Sequence, residues 1–96
     1  MEDVELKVDT KGHGAFVITD NGGQIGEMEI AIAPAMLTVF HTEVVPAAEG
    51  QGVAKKLLSA MVAYAREHQL KVNALCPYVH AQFKRHPDEY ADIWSE

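Results

Sequence analysis

Around residue 50 the chain changes its hydrophobic period, and that change limits what it can become. Before Val45 the apolar residues alternate with polar ones, as in half-buried strands. After Gly52 they recur as Val53, Ala54, Leu57, Leu58, Met61, Val62 and Ala65, the single apolar stripe of an α-helix reaching to about His68. That stretch has no proline and is rich in alanine and leucine, so propensity agrees with pattern. Between the two periods lies Pro46-Ala47-Ala48-Glu49-Gly50-Gln51-Gly52. A strand that runs into a glycine loop and out into an amphipathic helix must fold the helix back onto its own sheet. The unpaired N–H groups of the first helical turn then face outward at the positive end of the helix dipole, where an anion can sit. Gly50 and Gly52 have no Cβ, so such a ligand can come close to the backbone.

The rest of the chain supplies the sheet. Val4, Leu6 and Val8 alternate with Glu5, Lys7 and Asp9, predicting a first strand. Ala15 to Thr19 is the second. Asp20-Asn21-Gly22-Gly23 is a hairpin signal, because Asn-Gly tolerates positive φ. Gln24 to Ala33 is the third strand, ended by Pro34, and Met36 to Val45 the fourth. These four should form an antiparallel meander. Leu70 to Leu75 follows the helix as a fifth strand, parallel to the fourth through a right-handed crossover. Pro77 suits the first position of a helix, which makes Cys76 the expected N-cap of a short helix to about Arg85. His86-Pro87-Asp88 restarts it. Tyr64, Phe83, Tyr90 and Trp94 are assigned to packing. Ninety-six residues without repeats or linkers predict one domain spanning 1–96.

Composition removes several function classes. A net charge of −6 argues against nucleic-acid binding, which needs a basic stripe. It also means that an anionic ligand must be held by local donors; Lys55 and Lys56 are the nearest cations, unless they are merely solvated. Cys76 is the one cysteine, so there is no internal disulfide, and a reducing, cytoplasmic compartment is expected. The acidic start, Met1-Glu2-Asp3-Val4-Glu5, does not read as a targeting segment. No apolar run approaches the ~20 residues of a membrane span. Five histidines without metal-ligand spacing predict no metal site. A monomer or weak dimer is expected.

Three phosphate-loop patterns compete for the central stretch. A Walker A spacing is absent. A dinucleotide G-x-G-x-x-G begins at Gly50 but meets Lys55 at its third glycine. The third pattern is [QR]-x-x-G-x-[GA], the acetyl-CoA pyrophosphate loop of the GNAT acetyltransferases. Glu49-Gly50-Gln51-Gly52-Val53-Ala54 resembles it, with Glu49 where Gln or Arg is usual. The alternative is a helix that merely starts in glycine. The resemblance widens with His41-Thr42-Glu43-Val44, Cys76-Pro77-Tyr78 and His86-Pro87-Asp88-Glu89-Tyr90. In that order these motifs are similar to small single-domain GNAT-like acetyltransferases of the YjdJ type, over about Val8 to Ile93. The resemblance implies an α+β, minimal GNAT fold: a mostly antiparallel mixed sheet, a splay between the fourth and fifth strands, and two to three helices. Set against that pattern, the N-terminal helices with which larger GNAT enzymes build an acceptor pocket are not expected here.

The resemblance also implies roles. Acetyl-CoA, or a related acyl-CoA, would be the cosubstrate. Gly50 and the amides of Gln51, Gly52, Val53 and Ala54, with Lys55 beside them, would hold its diphosphate, and Glu49 should turn away from it. Backbone groups of Val44 and Val45 would pair with the pantetheine arm, and the Val45 amide is a candidate oxyanion donor. Tyr78 would protonate the leaving thiolate, or is simply a core aromatic. At a helix N-terminus, Cys76 is either a nucleophile that accepts the acetyl group or a small buried thiol. His80, four residues on, either pairs with it or is exposed. His41 and Glu43 share one side of their strand and are candidate general bases, or ordinary surface residues. The expected function is acyl-CoA binding with acetyltransferase activity toward an unknown amine or thiol acceptor. A non-catalytic acyl-CoA-binding module and a protein-interaction domain are the alternatives.

Overall fold

A computed structural model describes residues 4–96; the acidic start at residues 1–3, read above as no targeting segment, lies outside them. Strands β1 (Val4–Val8), β2 (His13–Asp20), β3 (Gly23–Ile32) and β4 (Met36–Val44) form an antiparallel meander. A 3-10 turn at Pro46–Ala48 leads to helix α1 (Val53–Glu67), which crosses over to β5 (Lys71–Ala74), parallel to β4. Two short helices follow, α2 (Pro77–Arg85) and α3 (Pro87–Tyr90). Strand order is β1-β2-β3-β4-β5. The predicted hairpin joins β2 to β3 with Asn21 at φ 53° and Gly22 at φ 80°, the pair of left-handed residues that such a turn requires.

Directly paired residues share a face of the sheet, so register sorts the side chains. Leu6, Phe16, Met28 and Thr42 make one row of the inner face; Glu5, Val17, Glu27 and Glu43 make the neighbouring row of the outer face. The helices pack on the inner face, where Ile18, Met28, Leu37, Leu57, Met61, Val79 and Phe83 form one buried cluster. Gly26 is buried beneath the start of α1: a Cβ there would stand 2.5 Å from Val53 Cγ1. The missing side chain thus sets how closely the helix mouth approaches β3.

Two irregularities shape the site. Glu29 pairs with His41 but Ile30 with Val39, leaving Phe40 as the extra residue of a β-bulge in β4. On the other side β4 pairs with β5 only from Met36↔Lys71 to Val39↔Ala74. The N–H groups of Leu75 and Cys76 both donate to the Val39 carbonyl (3.1 and 2.9 Å), and the chain then leaves for α2 while β4 runs on to Val44. A wedge opens between them, the splay expected above.

Elements end within a few residues of the sequence reading. β4 stops at Val44, and β5 is shorter than Leu70–Leu75. One contact had no signal in the pattern: Val72 bridges to Trp94, with its N–H on the Ile93 carbonyl (2.6 Å) and its own carbonyl taking the Ser95 N–H (2.9 Å). The C-terminal tail therefore lines the outer edge of β5.

Candidate functional site

The mouth of α1 is built by two left-handed glycines. Gly50 has φ 83° and Gly52 φ 76°, a conformation that costs other L-residues about 1–2 kcal/mol. A Cβ at either would meet nothing within 4 Å, so the space above the loop is open. Gly52 is the N-cap and offers no side-chain acceptor to the first turn. Its carbonyl takes the Lys56 N–H (3.0 Å), which leaves Val53, Ala54 and Lys55 as first-turn donors without an intrahelical acceptor. Gln51 folds its side chain back, Nε2 donating to the Ala47 carbonyl (3.4 Å), so its amide group closes the loop. Lys55 is exposed. Glu49 is exposed too, on the rim of the opening.

A cavity of about 360 Å³ lies against this mouth, lined by Gly52, Val53, Ala54 and Lys55, by Val44 of β4 and by Tyr78 of α2. The helix mouth, the splay and Tyr78 thus share one space. Tyr78 is half-buried, and burial, then the neighbouring Cys76, pushes its hydroxyl pKa above the ordinary 10.

The Val45 expectation needs correction. The Val45 N–H donates to the Ile25 carbonyl (3.0 Å), so it is committed to β3 and cannot serve as an oxyanion donor. Main-chain groups alternate in direction along a strand. Those of Thr42 and Val44 therefore point the other way, toward the splay, where β5 has already turned off.

The four expected catalytic side chains fall into two groups. Cys76 is 1% exposed, its sulfur 3.3 Å from Thr42 Oγ1, and it stands with Tyr78 on the helical side of the splay. His41 and Glu43 lie on the outer face, Nε2 to Oε1 3.8 Å, both well exposed. The splay lies between the two groups. His80 does not join Cys76: its ring meets Trp94 edge-on at 5.8 Å. Thr42 is the residue that sequence reasoning missed; its only signal was the alternation that places it opposite His41 and Glu43. Among the described residues no group of three His, Cys, Asp or Glu side chains is placed to hold a metal ion, and no helix is long and apolar enough to cross a membrane.

Comparison with known proteins places this arrangement. Residues 15–93 match the family model described as GCN5-related N-acetyl-transferase. The chain is similar to the solution structure of a GCN5-like putative N-acetyltransferase from Staphylococcus aureus, with 31% identity and a TM-score of 0.67 over 95% of this chain and 87% of that one. It shares its fold with the ribosomal-protein-alanine N-acetyltransferase of Brucella melitensis biovar Abortus 2308 (20% identity, TM-score 0.64, 92% of this chain and 64% of that one). It also shares it with the ribosomal-protein-S18-alanine N-acetyltransferase of Escherichia coli (18%, 0.61, 67% and 42%). The chain thus spans less than two thirds of the length of the latter two enzymes. No curated protein sequence gives a match. A family model covering most of the chain and a relative of near-equal length agree: the chain belongs to the GCN5-related N-acetyltransferases.

Proposed function

We propose that the chain binds acetyl-CoA, or a related acyl-CoA, and transfers the acyl group to a primary amine. The observation that carries this is the shared cavity: the first turn of α1, Val44 of β4 and Tyr78 all border it. The residues fit the ligand. The amides of Val53, Ala54 and Lys55, with the Lys55 ammonium at the rim, suit a diphosphate, and the absent Cβ atoms of Gly50 and Gly52 leave room for it. The free N–H and C=O groups of Thr42 and Val44 suit the pantetheine amides as an added strand would.

In this reading the thioester lies in the splay, with the acceptor arriving from the outer face. The amine nitrogen forms a bond to the carbonyl carbon, and the carbonyl becomes an oxyanion. The Val44 N–H replaces Val45 as the main-chain donor aimed at it. The nitrogen gives up a proton on the side of His41 and Glu43. The C–S bond then breaks, and Tyr78 donates its proton to the departing CoA thiolate. With its pKa raised above the ordinary 10, the Tyr78 hydroxyl carries its proton at neutral pH. The burial of Cys76 against Thr42 favours direct transfer over a covalent acetyl-cysteine route.

A non-catalytic acyl-CoA-binding module is the second reading, favoured by the open, solvent-exposed placement of His41 and Glu43 on the outer face. Thermal unfolding with excess acetyl-CoA, followed by an assay of CoA release with amine and peptide acceptors, tests both. Stabilisation together with acceptor-dependent release supports transfer. Stabilisation without release by any acceptor supports the module. No stabilisation overturns both.

A further inference from the structure

Among the described residues no helix packs on the outer face of the sheet, and that face is strongly patterned. Register aligns Glu5, Val17, Glu27 and Glu43 in one row across four strands, and Lys7, Ala15, Glu29 and His41 in the next. Lys7, and His41 when protonated, are the cations within these rows. Lys71 of β5 is drawn aside, its Nζ on the Asp92 carbonyl (2.8 Å). Glu27 and Glu43 stand directly opposite each other, an arrangement that weakens a sheet unless something offsets it; Gln24 Nε2 donates to Glu27 Oε1 (3.1 Å) and His41 Nε2 lies 3.8 Å from Glu43 Oε1. A recess of about 260 Å³ beside them is lined by both glutamates and by Gln24, Ile25, Gly26 and Val45. The face is not wholly polar. Val17 sits at its centre, 3% exposed, and Phe40 and Leu75, 43% and 58% exposed, flank the last β4–β5 pair where the splay begins.

We propose that this face docks the acceptor, and that the acceptor is a basic polypeptide segment carrying apolar residues among its lysines or arginines. The proposal rests on the acyl-transfer reading and adds the substrate class. Charge complementarity selects a cation: the carboxylates of Glu5, Glu27, Glu29 and Glu43 outnumber Lys7 and His41 in these rows. The apolar residues select a peptide over a simple polyamine, because leucine or phenylalanine side chains bury more of the exposed Phe40 and Leu75 surface than a polyamine's methylenes do. Scale agrees, since four strands span about 14 Å, the reach of roughly four extended residues. Such a segment lies across the carboxylate row and delivers its amine to the splay beside Phe40 and Leu75.

The test uses the whole chain without CoA. The probes are an unstructured peptide of lysines interspersed with leucine and phenylalanine, the same peptide with glutamate for lysine, and spermidine. Binding is followed through backbone amide shifts. One variant removes three outer-face charges (E5Q/E27Q/E29Q), and another removes three on the opposite side and at the C-terminus (E67Q/D88N/E96Q), so that net charge is matched. The lysine peptide is expected to shift amides of β3 and β4, to bind about tenfold more weakly to the first variant, and to lose less than threefold with the second. Equal losses in both variants, shifts confined to the helical side, or spermidine binding as tightly as the peptide would each overturn the proposal. Acetyl-CoA stabilisation, measured separately on the same samples, should be equal in all three proteins. Its absence from the wild type would refute the acyl-transfer reading while peptide docking is still decided on its own.

Discussion

Replacing Gly52 by alanine separates the folding role of the loop from its binding role. Gly52 has φ 76°, and a Cβ there would meet no atom within 4 Å. The folding cost is therefore backbone strain alone, about 1–2 kcal/mol, and Tm should fall by roughly 5–15 °C for a domain of this size. Gly22 is a matched control: φ 80°, equally open surroundings, but in the β2–β3 hairpin away from the cavity. Gly22→Ala should lose a similar amount of Tm. The two variants should part when acetyl-CoA is added. At one hundred times Kd a ligand stabilises the folded state by about 2.7 kcal/mol, and Gly22→Ala should keep all of it. In Gly52→Ala the methyl group enters the space assigned to the diphosphate. A tenfold loss of affinity would cut the gain to about 1.4 kcal/mol at the same ligand concentration. Differential scanning fluorimetry with and without acetyl-CoA reads both quantities. Equal ligand-induced shifts in the two variants would refute the diphosphate placement, whatever happens to their unliganded Tm.

Other outcomes follow from the same geometry. Tyr78→Phe should lower kcat by about 10²–10⁴ and leave acetyl-CoA stabilisation close to wild type. Because the Tyr78 pKa is raised by burial, any alkaline fall in wild-type rate below pH 10 should persist in that variant. Cys76→Ala should fold less stably, because it loses the Thr42 contact, yet retain acyl transfer. Intact mass of the wild type after incubation with acetyl-CoA should show no added acetyl group, and a stable acetyl adduct on Cys76 would overturn direct transfer. Arg66 holds the Asp92 carboxyl below its ordinary value of 3.8 through a 2.9 Å charge-assisted hydrogen bond. A depressed carboxyl contributes stability above its unfolded pKa and loses it as pH falls through the folded one. Urea midpoints should therefore drop less between pH 5 and pH 2 in Asp92→Asn than in the wild type.

Much of the fold could be read from local pattern, because each main element carries its own signal. The Val53–Ala65 stripe, the Asn21-Gly22 turn and the Pro77 helix start are short-range statements, and each stands where expected. The loop motif likewise placed an open helix mouth correctly. What could not be read depends on contacts distant in sequence. The bulge at Phe40 exists because β3 and β4 slip by one residue at Glu29/Ile30, and nothing in β4 alone marks it. That slip, and the Val45–Ile25 hydrogen bond, decide which amides face the splay. The Thr42–Cys76 contact joins residues 34 apart in sequence. The tail bridge at Val72 likewise pairs a strand with a segment that has no strand pattern.

The central claim is that main-chain donors at the mouth of α1 hold the diphosphate of coenzyme A. Titrating acetyl-CoA into isotopically labelled protein and following each backbone amide by NMR tests it most directly. The largest, saturable shifts should fall on Gly50 to Lys55, followed by Thr42, Val44 and Tyr78, with β1 and the β2–β3 hairpin unmoved. Saturable binding whose shifts bypass Gly50 to Lys55, or no binding at millimolar ligand, would contradict it.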